Sequence, residues 1–121
     1  HLASVATVKN LQTLTFRTLG FTKFTDAGLA PLANLTHLRE LRINGSVKVT
    51  DAGMVHLTKL NRLEKLDLGR TRISSAAAAS LGKLPALKEL DVVGSGFAPD
   101  GIQALRKLNP KVKVTLHRPL Y

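Results

Sequence analysis

The chain has no cysteine, so neither a disulfide staple nor a thiolate metal site is open to it. Aromatic residues are scarce, with four Phe and one Tyr in 121 residues. A surface that binds nucleic acid by base stacking needs exposed rings, and so few leave little to build one from. Acidic residues are outnumbered, 8 Asp and Glu against 18 Lys and Arg, for a net charge of +10. No apolar run is long enough to cross a membrane, and no signal peptide is visible.

What the sequence does have is self-similarity. Leu38-x-x-Leu41-x-Ile43 recurs as Leu63-x-x-Leu66-x-Leu68 and as Leu87-x-x-Leu90-x-Val92, with Leu11-x-x-Leu14-x-Phe16 one register earlier. Each copy runs through a polar turn into a helical segment that begins near Phe24, Val49, Ile73 and Phe97. A repeat of roughly two dozen residues is the mark of a solenoid. The alternation that closes each leucine motif predicts a short strand with one buried face. Apolar residues at three-residue steps, such as Leu29, Leu32 and Leu35 or Met54, Leu57 and Leu60, predict a helix with one apolar stripe. Neither element buries its face alone, whereas stacked coils bury both, with the strands side by side in a parallel sheet.

The L-x-x-L-x-L strand followed by a helix resembles a leucine-rich repeat, and T-D-A-G-L at Thr25–Leu29 is similar to the bacterial variety. The resemblance implies an α/β fold: a right-handed leucine-rich-repeat solenoid with a parallel sheet on one side and helices on the other. It also departs from the family pattern. The Asn that usually follows the strand is replaced by Ser46, Thr71 and Ser95, and by Leu19 in the first copy. Hydroxyls suit the turn backbone as Asn does and Leu19 does not, so the first turn, through Phe21 and Lys23, is expected to be irregular.

We read residues 1–121 as a single domain. Residues 1–10 match the end of a preceding repeat helix, 11–110 form four repeats, and 111–121 form a C-terminal cap strand and tail. Within the repeats, Thr25, Thr50 and Ser74 stand at N-cap positions, with Asp26 and Asp51 following into the positive end of the helix. Gly28, Gly53 and Gly101 disfavour helix by about 1 kcal/mol each relative to alanine, which implies close approach between coils. Ala78 stands where Leu29, Met54 and Ile102 stand in the other repeats, so there the helix moves inward or a small void remains.

The repeat register also places the charges. Glu40, Lys65, Glu89 and Lys113 form one row across the strands, and Arg39, Glu64 and Lys88 another; both alternate in sign and are expected to pair. Further rows run Thr15, Arg42, Asp67, Asp91, Thr115 and Arg17, Asn44, Gly69, Val93, His117. The surplus of positive charge falls in two same-sign rows. Lys59, Lys83 and Lys107 lie near helix C-termini, where cations suit the dipole. Lys23, Lys48 and Arg72, with Arg70 nearby, lie in the strand-to-helix turns and are the candidate anion row.

Catalysis has no support in the pattern. "GSGFAPDG" lacks the dinucleotide-loop spacing, there is no nucleophile elbow, and His1, His37, His56 and His117 show no metal-ligand spacing. No enzyme activity, cofactor or metal is expected, nor specific nucleic-acid recognition, since Phe16, Phe24 and Phe97 take core positions and only Phe21 and Tyr121 are left exposed. No membrane partner is expected either. The resemblance implies a module that binds a protein or peptide on the outward strand face, with Arg17, Arg42, Asn44, Asp67, Val93 and His117 as the candidate contacts. These positions point outward and stand apart from the alternating pairs. The alternative is a structural or assembly segment of a longer repeat protein, which implies self-association through an open N-terminal edge.

Overall fold

The recurring leucines are what the strands hold inward. The computed structural model describes residues 13–15, by backbone alone, and 25–116. Five three-residue strands run in chain order: β1 (Thr13–Thr15), β2 (Glu40–Arg42), β3 (Lys65–Asp67), β4 (Glu89–Asp91) and β5 (Lys113–Thr115). They form one parallel sheet in the order β1-β2-β3-β4-β5. Leu41, Leu66 and Leu90 lie side by side in register and are buried, as are Leu38, Ile43, Leu63, Leu68, Leu87 and Val92. Because side chains alternate along a strand, the residues flanking each central leucine face outward, which fixes the rows of charge described above.

The helical halves differ from a plain α-helical expectation. Ala27–Asn34 and Asp51–Lys59 are 3₁₀ helices. The third coil opens as 3₁₀ over Ser75–Ala77 and continues as α over Ala78–Leu81, and only the fourth, Pro99–Leu108, is α throughout. The reason lies in the step of the apolar residues. A 3₁₀ helix has three residues per turn, so Leu29, Leu32 and Leu35 fall on one line, as do Met54, Leu57 and Leu60; all six are fully buried.

The same step continues into the turn before the next strand. The Leu38 amide bonds to the Leu35 carbonyl, and the Leu63 amide to that of Leu60. In the fourth coil the α pitch of 3.6 residues rotates such a line off the core. Leu105 stays buried and Ile102 is partly covered, but Leu108 is 58 % exposed, lying over Gly82. Ala78, the small residue of the third coil, is buried and marks the change of pitch.

The turns use the expected hydroxyls. Thr71 Oγ1 donates to the Leu68 carbonyl and Ser95 Oγ to that of Val92, each at 2.7 Å, while Ser46 is fully buried. The position just before each of these residues is left-handed: Gly45 (φ 89°), Arg70 (φ 56°) and Gly94 (φ 78°). Leu19, Phe21 and the first turn lie outside the described residues, as do residues 1–10.

The aspartates do more than the dipole role read in the sequence, since Asp51 does stand in the first turn of its helix: they also tie one coil to the next. Asp26 Oδ1 accepts from the Thr50 amide, and Asp51 Oδ1 from the Ser74 amide, both at 2.7 Å. The second carboxylate oxygen accepts from the hydroxyl of the same residue, Thr50 or Ser74. Those hydroxyls in turn cap their own helices through the amides of Ala52 and Ala76. The glycines make room for this contact. A Cβ on Gly53 would stand 2.5 Å from Asp26 Oδ1, and one on Gly101 would stand 2.9 Å from Ser75 Oγ.

At the next junction Ser75 replaces the aspartate. Its single oxygen accepts from the Ala98 amide at 3.1 Å. Ala98 has no hydroxyl to offer, and the Ser75 proton goes to Asp100 Oδ1 at 2.6 Å. Each acceptor thus matches its partner: a two-oxygen carboxylate faces an amide and a hydroxyl, and a one-oxygen serine faces an amide alone.

Candidate binding face

The sheet's outward surface carries a shallow cleft of about 250 Å³ across β2 to β5. It is lined by Arg42, Lys65, Leu66, Asp67, Glu89, Leu90, Asp91, Lys113 and Thr115. The parallel register builds it, since Arg42, Asp67, Asp91 and Thr115 are consecutive partners across the strands, and so are Lys65, Glu89 and Lys113.

The alternating rows pair as their signs demand. Arg39 and Lys88 both reach Glu64, at 3.9 and 3.4 Å, and Lys65 reaches Glu89 at 3.5 Å. All are solvent-facing, so each pair contributes on the order of 0.2–1 kcal/mol. Glu40 departs from the row. It takes the Arg42 guanidinium, two residues along its own strand, at 2.9 Å rather than Lys65. Arg42 therefore does not stand apart from the ion pairs. Lys113, at the far side of the cleft, makes no ion pair among the described residues.

Asp67 and Asp91 are fixed by the turns that follow their strands. Asp67 Oδ1 accepts from the Gly69 amide at 2.9 Å, and Asp91 Oδ1 from the Val93 amide at 3.0 Å. Asn44 extends over Gly69, where a Cβ would stand 2.5 Å from its Nδ2, and that nitrogen donates to Asp67 Oδ1 at 3.4 Å. Asn44 is thereby joined to Asp67 at the rim, whereas Val93 is half-buried and does not line the cleft. Arg17 and His117 lie outside the described residues.

Of the candidate contacts, the fold thus brings Arg42, Asn44 and Asp67 together. Sequence reasoning passed over Lys65, Glu89, Asp91, Lys113 and Thr115. The signal for them was the register itself, which placed them on the same rows but marked the first, second and fourth as members of pairs. Among the described residues no group of three or more His, Asp or Glu is arranged to hold a metal ion. None of the described helices is long and apolar enough to cross a membrane.

The turn rows separate by edge. Lys48 and Arg72 are exposed in the strand-to-helix turns, bridging by backbone to Thr25 and Thr50 of the preceding coil; Lys23 lies outside the described residues. That edge also carries Asp26, Asp51 and Asp100. Asp100 titrates below the ordinary carboxylate range because the Ser75 hydroxyl donates to it, helped by backbone amides at the helix start and opposed by desolvation.

Comparison with known proteins gives matches of different weight. The family model described as Leucine Rich repeat matches residues 34–57, which run from the end of the first 3₁₀ helix through β2 into the second. The Mex67:Mtr2 subunits of Chaetomium align with a TM-score of 0.68 at 15% identity, over 99% of this chain and 90% of that one. An internalin (inlF) from Listeria monocytogenes gives a TM-score of 0.42 at 18% identity, over 98% of this chain and 46% of that one. No curated protein matches the sequence. At such identities the Chaetomium likeness is one of fold, and the Listeria one is too distant to carry an argument.

Proposed function

Because the chain is a leucine-rich-repeat protein, we propose that it is a protein- or peptide-binding module whose contact surface is the outward strand face. The observation that carries this reading is the cleft across β2 to β5. It is the place where outward side chains of four successive strands converge, and both signs of charge are presented there. Arg42 and Lys113 supply donors at its two sides, and Asp67 and Asp91 supply acceptors between them. An extended peptide with donors and acceptors in turn along its length suits such a surface, because complementary charge fixes register more than it adds affinity.

The test compares wild type with an Arg42→Glu/Lys113→Glu variant. Neither residue takes part in a turn, so the substitutions leave the coil stacking intact. Proteins retained from a native extract at physiological salt are identified, and each is then purified and titrated calorimetrically against both chains. A purified partner that binds wild type and loses at least tenfold in affinity for the variant supports the reading. Partners bound equally by both place recognition elsewhere.

A further inference from the structure

The positive charge is not spread evenly over the solenoid, and the structure changes which edge is the basic one. At the strand-to-helix edge, Lys48, Arg70 and Arg72 share the surface with Asp26, Asp51 and Asp100, so its described charges cancel. The opposite edge, where each helix turns back into the next strand, carries Lys59, Arg62, Lys83, Arg106, Lys107 and Lys111. All six are exposed. Of the acids only Glu64, just before β3, stands in one of these connections; the other seven lie at helix starts or on the strands. The acid closest in sequence, Glu64, is already bridged by both Arg39 and Lys88.

These turns adjoin one another. The Asn109 side-chain amide reaches back to the Leu84 and Leu87 carbonyls of the coil before, at 3.5 and 3.1 Å, and Arg62 donates to His37 Nδ1 across one coil at 2.7 Å. Because a guanidinium only donates, that contact holds the His37 nitrogen as an acceptor. Like charges stacked on successive coils repel one another, and an anionic partner relieves that repulsion.

We infer that this helix-to-strand edge is a docking surface for a nucleic-acid phosphate backbone, bound without regard to sequence. A phosphate chain needs only clustered cations, and the edge supplies six, with a single carboxylate, Glu64, that Arg39 and Lys88 already bridge. A stable protein interface needs aromatic or apolar anchors set in pockets, and of the three large exposed apolar residues among the described residues, Val47, Val55 and Leu108, only Leu108 lies at this edge. Among the described residues the one aromatic ring, Phe97, is buried, so base stacking is not available and the contact is electrostatic.

The test uses the whole chain and a fluorescein-labelled 20-mer of oligo(dT), read by anisotropy from 50 to 200 mM salt. Wild type is expected to bind at low salt, with log K falling linearly against log [salt] at about 0.7 per phosphate neutralised. Lys83→Glu/Lys107→Glu is expected to weaken binding at least tenfold, and the charge-neutral Lys83→Gln/Lys107→Gln pair at least threefold with an unchanged thermal midpoint. Lys48→Glu/Arg72→Glu alters net charge equally at the other edge and is expected to change affinity less than threefold. Equal losses for the two Glu pairs, no binding at 50 mM salt, or equally tight and equally sensitive binding of labelled poly-glutamate would each overturn the inference.

Discussion

Asp26 and Thr50, one coil apart in the stack, share two hydrogen bonds: the carboxylate accepts from the Thr50 amide at 2.7 Å and from its hydroxyl. Asp51 and Ser74 repeat the arrangement one coil later. Removing the acceptor leaves a half-buried amide and hydroxyl without a partner, which costs about 1–3 kcal/mol. Asp51→Ala is therefore expected to lower the urea midpoint by that amount of stability with the slope of the transition unchanged. A midpoint within error of wild type would show that the carboxylate contributes nothing.

Gly53 lies beneath the Asp26 carboxylate. Alanine favours helix over glycine by about 1 kcal/mol, but here its Cβ would meet Asp26 Oδ1 at 2.5 Å and the Asp26 backbone at 3.2 Å. Steric displacement of this kind costs about 1–3 kcal/mol, so Gly53→Ala is expected to destabilise on balance. Denaturant titration beside Asp26→Ala/Gly53→Ala checks the cause, because the double variant should lose less than the sum of its parts.

Arg70 occupies the left-handed position that glycine holds at Gly45 and Gly94. An L-residue is disfavoured there by about 1–2 kcal/mol, and glycine's greater freedom in the unfolded chain returns roughly half of that. Arg70→Gly is expected to raise stability by about 0.5–1 kcal/mol, seen as a higher thermal midpoint. A lower midpoint would mean that the Arg70 side chain contributes more than its backbone strain.

Leu84 and Leu108 stand at the same place in the repeat, yet Leu84 is 1% exposed and Leu108 is 58% exposed. Leu84→Ala is expected to cost about 2–5 kcal/mol as a buried large-to-small change. Leu108→Ala should cost well under half as much. Calorimetry of both variants would decide, and equal losses would contradict the change of pitch in the fourth coil.

The Asp100 carboxyl is held below its ordinary value chiefly by the Ser75 hydroxyl. A depressed folded-state value means that folding favours the charged form. Its contribution is present above the ordinary carboxylate range and fades as pH falls through the folded value. Ser75→Ala is expected to shift the Asp100 titration upward toward the ordinary range, followed by the side-chain carbon signal in NMR. No shift would remove Ser75 as the cause.

Much of this was legible in the leucines. Their spacing set the strand register, and the register set the outward rows, so Arg39 and Lys88 at Glu64 and Lys65 at Glu89 follow from position alone. The 3₁₀ pitch was written in the three-residue step of Leu29, Leu32 and Leu35, but that step also fits one side of an α-helix, and packing decided between them. Arg42 turned to Glu40 because residues two apart along a strand share a face, and the long guanidinium arm spans the roughly 6.6 Å between them. The roles of Asp26 and Asp51 were hidden for a plainer reason: spacing along the chain shows what a residue follows, not what lies above it in the stack.

The matching of acceptor to cap gives the array a direction in which it is able to lengthen. A copy of the Thr50–Asp51 coil presents a hydroxyl to the coil before it and a carboxylate to the coil after it, so such copies stack upon one another with every bond made. A copy of the Ala98–Pro99 coil presents neither, and another coil placed behind Pro99 would meet no acceptor. Duplication of the Thr50–Asp51 coil is thus tolerated within the stack, whereas a coil stacked behind Ala98–Pro99 forfeits these bonds, so lengthening is governed by two adjacent residues rather than by the leucines that form the core.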